Sequence, residues 1–366
     1  MELPRRSCSG DGKRRVVTKL TIGLVLLLFA VPSAATAQQP RKVYRVGYLY
    51  EGVPHSEALS EGLRDLGWVL GENLVIEYWQ ADGPPERLQA LLTDLLQLNV
   101  DVIVVVNTRL ATAAKRMTQT VPLVVSVGDP VRTGLVTSLA RPEGNLTGVA
   151  NQNPELRRKA LQFMMEVVPS ATQVGFYVRP DNPAITLSWQ ELQAAAPTLG
   201  VKMRRFDVKE PADLERPFVS TARERVGGLI VPREGIFVAH RRRLIELAVK
   251  SRLPVLYTGR EFIEAGGLMS FAADENDLMR RVVARYVDRI LKGAKPSDLP
   301  FEQPTQIRAG HQPENRQGAR PQASRIAAAA SRSGARMIDR GSQPRPSRLL
   351  ESLAGAAQWG SQAAAL

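Results

Sequence analysis

The 366-residue chain has one cysteine, three histidines and only 5% aromatic residues. A single cysteine excludes an internal disulfide and any cysteine-built metal site, and scarce aromatics leave an aliphatic core. Long apolar runs are equally scarce. Leu20–Val31 is the one stretch of that kind, and its twelve residues are too short to cross ~30 Å of hydrocarbon, which excludes a polytopic membrane protein. Also missing are a Gly-x-Gly-x-x-Gly turn after a strand, a Gly-Lys-Ser/Thr phosphate loop, a His-Glu-x-x-His pair and a Gly-x-Ser-x-Gly elbow. The histidines, His55, His240 and His311, have no partner in a catalytic pattern. These absences favour a binding protein over an enzyme, with no cofactor and no metal expected.

Negative charge is in deficit, at a formal net charge of +13. Such a balance suggests nucleic acid until the charge is located. Residues 1–37 carry a net +4 and residues 306–366 a net +6, leaving +3 for everything between. The body is nearly neutral, so no nucleic-acid partner is expected. The N-terminal excess has a different meaning. Arg5, Arg6, Lys13, Arg14, Arg15 and Lys19 precede the apolar run, and Ala35-Thr36-Ala37 follows it as a small-x-small cleavage site. That is the pattern of a secretory signal, with a mature chain expected from Gln38. Arg14-Arg15 leaves twin-arginine export open beside the general route. Cys8 leaves with the signal, and no cysteine follows the cleavage point to carry a lipid. A soluble exported monomer is expected, periplasmic if the cell is bacterial as the signal suggests.

From Val43 the pattern alternates strand and helix. Strands are expected at 43–49, 73–79, 101–106 and 123–127, with helices at 58–66, 86–98 and 110–117 between them. Asp101–Val106 is an almost wholly apolar run, with only Asp101 polar, as in a parallel strand covered on both faces. The pattern then restarts, with helices at 155–167, 186–199, 213–225 and 238–250 and strands at 174–178, 201–208, 228–231 and 255–257. Strands spaced by helices imply βαβ units and a doubly wound sheet. The expected fold is α/β, with two doubly wound Rossmann-like lobes joined by a hinge. Lobe one covers 38–148 with 272–295 returning to it, lobe two covers 149–271, and 296–305 begins a third crossing. Gly144–Val149 and Gly266–Phe271 are read as the first two crossings.

Parallel sheets take ligands outside the carboxyl ends of their strands. Residues just past strands are therefore the candidates: Tyr50, Glu51 and His55; Asn107, Thr108 and Arg109; Gly128 and Asp129; Arg179, Asp181 and Asn182; Arg233 and Glu234; Tyr257 and Thr258. The ligand-binding set is Glu51, Thr108, Asp129, Asn182, Glu234 and Tyr257. Thr108 opens a helix whose free N–H groups suit a carboxylate, with plain N-capping as the alternative. Asp129 suits an amine, but Gly-Asp-Pro is also a turn signature. Asn182 stands between turn chemistry and a ligand contact, Tyr257 between stacking on a ring and packing at a strand end. His55, in the first strand–helix loop, stands between a ligand contact and a solvated side chain.

Residues 38–305 resemble the bacterial ABC-transporter substrate-binding proteins of the type-I periplasmic-binding fold, in the branch related to tryptophan and aromatic-amino-acid binding proteins. The resemblance rests on Gly71–Tyr78, Val127–Val131 with Gly134–Val136, and Leu139–Pro142 with Gly144–Val149. Gly266–Ser270, Ile290–Pro296, Asp298–Pro300 and Glu302–Thr305 continue it. It implies a periplasmic receptor that closes two lobes over a small polar or amino-acid-like ligand and presents the closed form to an inner-membrane ABC permease. An exported transferase or hydrolase, and a sensor for a membrane kinase, are the alternatives. Asn107-Thr108-Arg109 departs from the Gly-Thr-Pro-like triplet the resemblance implies, and there Arg109 would clash with an anionic ligand or read it. Arg179 departs likewise from a small amide.

After Thr305 the composition turns to Arg, Ala, Gln, Ser, Pro and Gly, as in a disordered tail. A sharper reading exists. Ile307–Pro321 can be encoded so that the same DNA, read one base later, gives Phe-Glu-Leu-Val-Ile-Asn-Leu-Lys-Thr-Ala-Lys-Ala-Leu-Gly-Leu, the segment with which the resembled family continues. Met337-Ile338 then forces a stop codon in that frame. A frameshift near codon 306 is expected on this reading. It would leave a sheet edge open and the product defective.

Overall fold

The computed structural model describes residues 42–81, 85–151, 154–219, 226–304, 307–311 and 336–338. The export signal and most of the anomalous tail lie outside the described residues.

Two sheets organise the described chain. The first has the order β2-β1-β3-β4-β5 and is parallel throughout. Its strands are β1 (Tyr44–Tyr50), β2 (Leu74–Gln80), β3 (Val102–Val106), β4 (Leu123–Val127) and β5 (Leu146–Ala150). All five residues of β3 and of β4 are buried, as a parallel strand with helices on both faces requires. On one face lie α1 (Ser56–Asp65) and a late helix built from α9 (Glu275–Leu278), a π turn (Met279–Val283) and α10 (Ala284–Leu291). On the other lie α2 (Pro85–Gln97) and α3 (Thr108–Met117).

The second sheet has the order β12-β11-β10-β9-β8-β6-β7. Its strands are β6 (Gln173–Val178), β7 (Lys202–Asp207), β8 (Gly228–Val231), β9 (Val255–Tyr257), β10 (Met269–Ala273), β11 (Ile307–His311) and β12 (Arg336–Ile338). Its pairings are parallel apart from β10 with β11. One face packs on α4 (Pro154–Val167) and α5 (Pro183–Ala195). The other packs on α6 (Gly235–Ala239), α7 (Arg241–Ser251) and α8 (Arg260–Glu264). The expected helix over 238–250 is thus two, meeting at His240, where the backbone leaves helical geometry.

Each sheet with its helices is a lobe, and the chain passes between them three times: from β5 to α4, from β10 to α9, and from Glu302 to β11. Glu302 pairs its backbone with Gly148 and Ala150 before that last passage. The β10 edge is not left open, as the frameshift reading expected. Ile307–His311 pairs antiparallel along all five residues of β10. Ladder pairing uses backbone N–H and C=O groups, which almost any sequence supplies.

Two glycines mark where backbones meet. Gly62 on α1 faces the late helix, where a Cβ would overlap the Arg280 carbonyl and lie 2.7 Å from the Ala284 Cβ. Gly148 in β5 has φ +150°, and a Cβ there would overlap the backbone of Val125 in β4. Nearby, Trp68 donates from Nε1 to Asp288 at 2.9 Å, tying the α1–β2 loop to α10.

Candidate functional site

The carboxyl ends of both sheets face one cavity of ≈ 110 Å³. Its lining is of two kinds. The second lobe supplies an apolar cluster: Leu156 and Ala160 from α4, Phe176 from β6, Leu192 from α5, Ile230 from β8 and Phe271 from β10. The polar lining comes from both lobes: His55, Asn107, Thr108, Ser126, Asn151, Asn182, Glu234, Glu275 and Asn276, with Arg157, Arg233, Arg260 and Glu261 of the second lobe.

Asn107 is the hub between the lobes. It stands just past β3 with φ +114°, a conformation L-residues avoid and glycine tolerates. The surrounding bonds hold it there. Its Oδ1 accepts from the Arg109 backbone N–H at 2.7 Å, capping α3, and from Asn182 Nδ2 of the second lobe at 3.3 Å. Its Nδ2 donates at 3.3 Å to Glu51 of the first lobe and at 3.3 Å to Glu234 of the second. Asn182 donates also to Glu234 at 2.8 Å, and its Oδ1 caps α5. Two carboxylates from different lobes thus share one amide. Burial, and then the charge of Glu51, raise the Glu234 carboxyl to about 7.

Arg109 turns away from the cavity. It is buried, ion-paired to Glu51, and donates to the Ala81 carbonyl at 3.3 Å. Glu51 holds it outside the cavity lining. Arg179 pairs with Asp181 at 2.7 Å.

Of the six residues expected to bind ligand, Thr108, Asn182 and Glu234 line the cavity. Thr108 does so with its hydroxyl accepting from the Gly128 backbone N–H at 2.9 Å, while Asn107 supplies the cap. Glu51 lies behind Asn107. Asp129 and Tyr257 are not in the lining. Asp129 accepts from the backbone N–H groups of Val131 and Arg132, which is turn chemistry. Tyr257 is buried and stacked on Phe262, ring centroids 4.6 Å apart, and burial pushes its hydroxyl far above the usual range.

His55 lines the cavity and bridges the lobes, and is not a solvated loop side chain. Its Nδ1 lies 2.7 Å from Asn276 Oδ1 and its Nε2 lies 2.5 Å from an Arg233 nitrogen. A guanidinium only donates, so Nε2 accepts and Nδ1 carries the hydrogen. Burial and the Arg233 charge lower its pKa, favouring this neutral form. Arg233 pairs with Glu261 at 2.7 Å. At the α5 side, Glu191 holds Arg157 of its own lobe at 3.0 Å and Arg132 of the first lobe.

Ser126, Asn151, Glu275 and Asn276 escaped the sequence reading. Ser126 closes on the end of β4; Asn151 and Glu275 lie just past β5 and β10. Those two strands were read as connectors between lobes, so the strand-end rule was not applied to them. Applied there, it points to both residues.

A family model described as ABC transporter substrate binding protein matches residues 54–309. The chain belongs to that family. Members bind a substrate without transforming it, so this protein is the substrate-binding component of an ABC transporter and its ligand is a small molecule. The receptor is 21% identical over 241 residues to a tyrosine-binding protein of Clostridioides difficile, covering 66% of this chain and 69% of the relative. Its fold matches an ABC domain in complex with L-Trp from Streptococcus pneumonia, with TM-score 0.69 and 20% identity over 81% of this chain and all of that one. A conserved domain protein from Vibrio cholerae matches with TM-score 0.69 and 23% identity, over 82% of this chain and all of that one. The fold is therefore that of the type-I periplasmic binding proteins, as the sequence predicts.

Proposed function

We propose that this receptor works in the periplasm after removal of its signal, and binds as a monomer an amino acid with an apolar side chain. The observation that carries the reading is the cavity's division. An apolar cluster from one lobe shares the lining with polar and charged groups from both, which matches a ligand that carries an apolar side chain and ionic groups. The relatives that bind tyrosine and L-Trp support the class of ligand. Contacts such as Asn107 with Glu234 join the two lobes. A ligand touching both lobes therefore favours the closed form, which an inner-membrane permease would recognise.

The test is thermal melting of the mature chain, from Gln38, against the twenty amino acids, with sugars and dicarboxylates as controls. A ligand at 100 times its dissociation constant stabilises by ~2.7 kcal/mol. A selective shift with one or a few apolar amino acids is expected. Shifts with sugars or dicarboxylates alone would refute the reading.

A further inference from the structure

We infer that Glu275 selects the ligand by pairing with a positively charged ammonium group, and that Ser126 and Asn151 position it for that task. The inference rests on the amino-acid reading of the cavity and adds the group by which the amino acid is recognised.

The charges around the cavity are unevenly satisfied. Arg157, Arg233 and Arg260 each hold a carboxylate: Glu191, Glu261 and Glu264. Glu275, in the first turn of α9, forms no ion pair among the described residues. Its Oε1 accepts from Ser126 Oγ at 2.6 Å and its Oε2 accepts from Asn151 Nδ2 at 3.4 Å, both neutral donors. Asn151 Nδ2 also donates to Ser126 Oγ at 3.0 Å, so one amide and one hydroxyl hold the carboxylate at the end of β4 and β5. That leaves Asn151 Oδ1 buried and without a partner. The Glu275 carboxylate, partly buried and in the cavity lining, is thus met by neutral donors alone. An ammonium supplies the cation it lacks, since it carries a full charge and three N–H donors. A carboxylate or hydroxyl-rich ligand supplies no such charge. Arg233 lies near enough to act on Glu275 electrostatically, but its guanidinium is held by Glu261 and His55.

The test is calorimetric titration of the mature chain with L-tryptophan, L-tyrosine, L-phenylalanine and L-leucine. Each is compared with its des-amino acid and with its decarboxylated amine. Removing the ammonium is expected to weaken binding at least about tenfold, the order of a lost charge-assisted hydrogen bond. Glu275→Gln should weaken the amino acid to a similar degree and bring it within about fivefold of its des-amino analogue, since the selective charge is gone. Asn151→Leu should cost about tenfold, the effect of one lost hydrogen bond. Des-amino acids binding within threefold of the amino acids would overturn the inference and leave the amino-acid reading standing. Amines that bind where no amino acid does would sustain Glu275 and sink the reading. Silence from both would sink the two together. If Glu275→Gln fails to fold, the three ligand series on the unaltered chain still decide.

Discussion

Glu234 makes the stability of this receptor depend on pH in a way that one substitution should expose. Its carboxyl is raised from 4.5 to about 7, first by burial and second by Glu51 across the lobe boundary. Arg179 faces the same cluster and moderates the shift, as do Asn107 and Asn182, which donate to the carboxylate, while Arg109 is paired to Glu51. The folded chain therefore keeps a proton that the unfolded chain gives up as pH rises through 4.5. The stabilising contribution is present below that value and is lost as pH climbs to about 7, beyond which nothing more is lost. At 1.36 kcal/mol per pH unit, the loss between pH 5 and 8 is roughly 2–3 kcal/mol. His55 acts in the opposite sense: its lowered pKa means that stability is lost as pH falls below its ordinary 6.5. The unaltered chain alone would therefore show a flattened profile. Glu234→Gln isolates the carboxylate. It carries no proton equilibrium and should cost about 1 kcal/mol at pH 5, where a hydrogen bond is weakened. Relative to the unaltered chain it should gain about 2–3 kcal/mol by pH 8, roughly 3–4 °C in Tm for a chain of this size. The assay is ligand-free unfolding in urea and by heat at half-unit pH steps. A difference that stays constant within about 0.5 kcal/mol across the range would refute the shared-amide geometry in solution.

The contact of α1 with the late helix has no room for a methyl group, so Gly62→Ala should destabilise by at least ~2 kcal/mol, read as a lower urea midpoint with unchanged slope. Arg132 and Glu191 join the lobes near the surface, with Arg132 41% exposed. Arg132→Ala should weaken ligand binding only a few-fold, by less than ~1 kcal/mol, and less at high salt; a loss of 100-fold would show that this pair controls closure. Sequencing the coding DNA across codon 306 should reveal the apolar family segment one base out of frame. A stop codon in that frame ahead of the one at Met337 would refute the frameshift.

Much of the fold was legible because it depends on periodicity. The apolar run of 102–106 and the leucines of 86–98 mark β3 and α2 without any knowledge of their neighbours, since each period records which faces are covered. Strand ends followed from the strands, and so did Thr108, Asn182 and Glu234 as cavity residues. Asp129 and Tyr257 met the same rule and yet face elsewhere. The rule locates a backbone position, whereas the direction of a side chain is set by local turns and by packing. Arg109 illustrates the limit most clearly. Its charge was visible in the sequence, but the carboxylate that captures it lies 58 residues earlier.

Chain order and composition alone determined the export signal as an expectation, the alternation of strand and helix, and the class of binding protein. Those features arise from local apolar spacing and net charge. Tertiary structure decided the rest. It set the two halves facing one another and brought Glu51 and Glu234 to a common amide. It also placed Ser126, Asn151 and Glu275, from three separated segments, at one point. Such groupings depend on where three passages of the chain cross between the lobes, and no spacing along the sequence encodes a distance between segments more than a hundred residues apart.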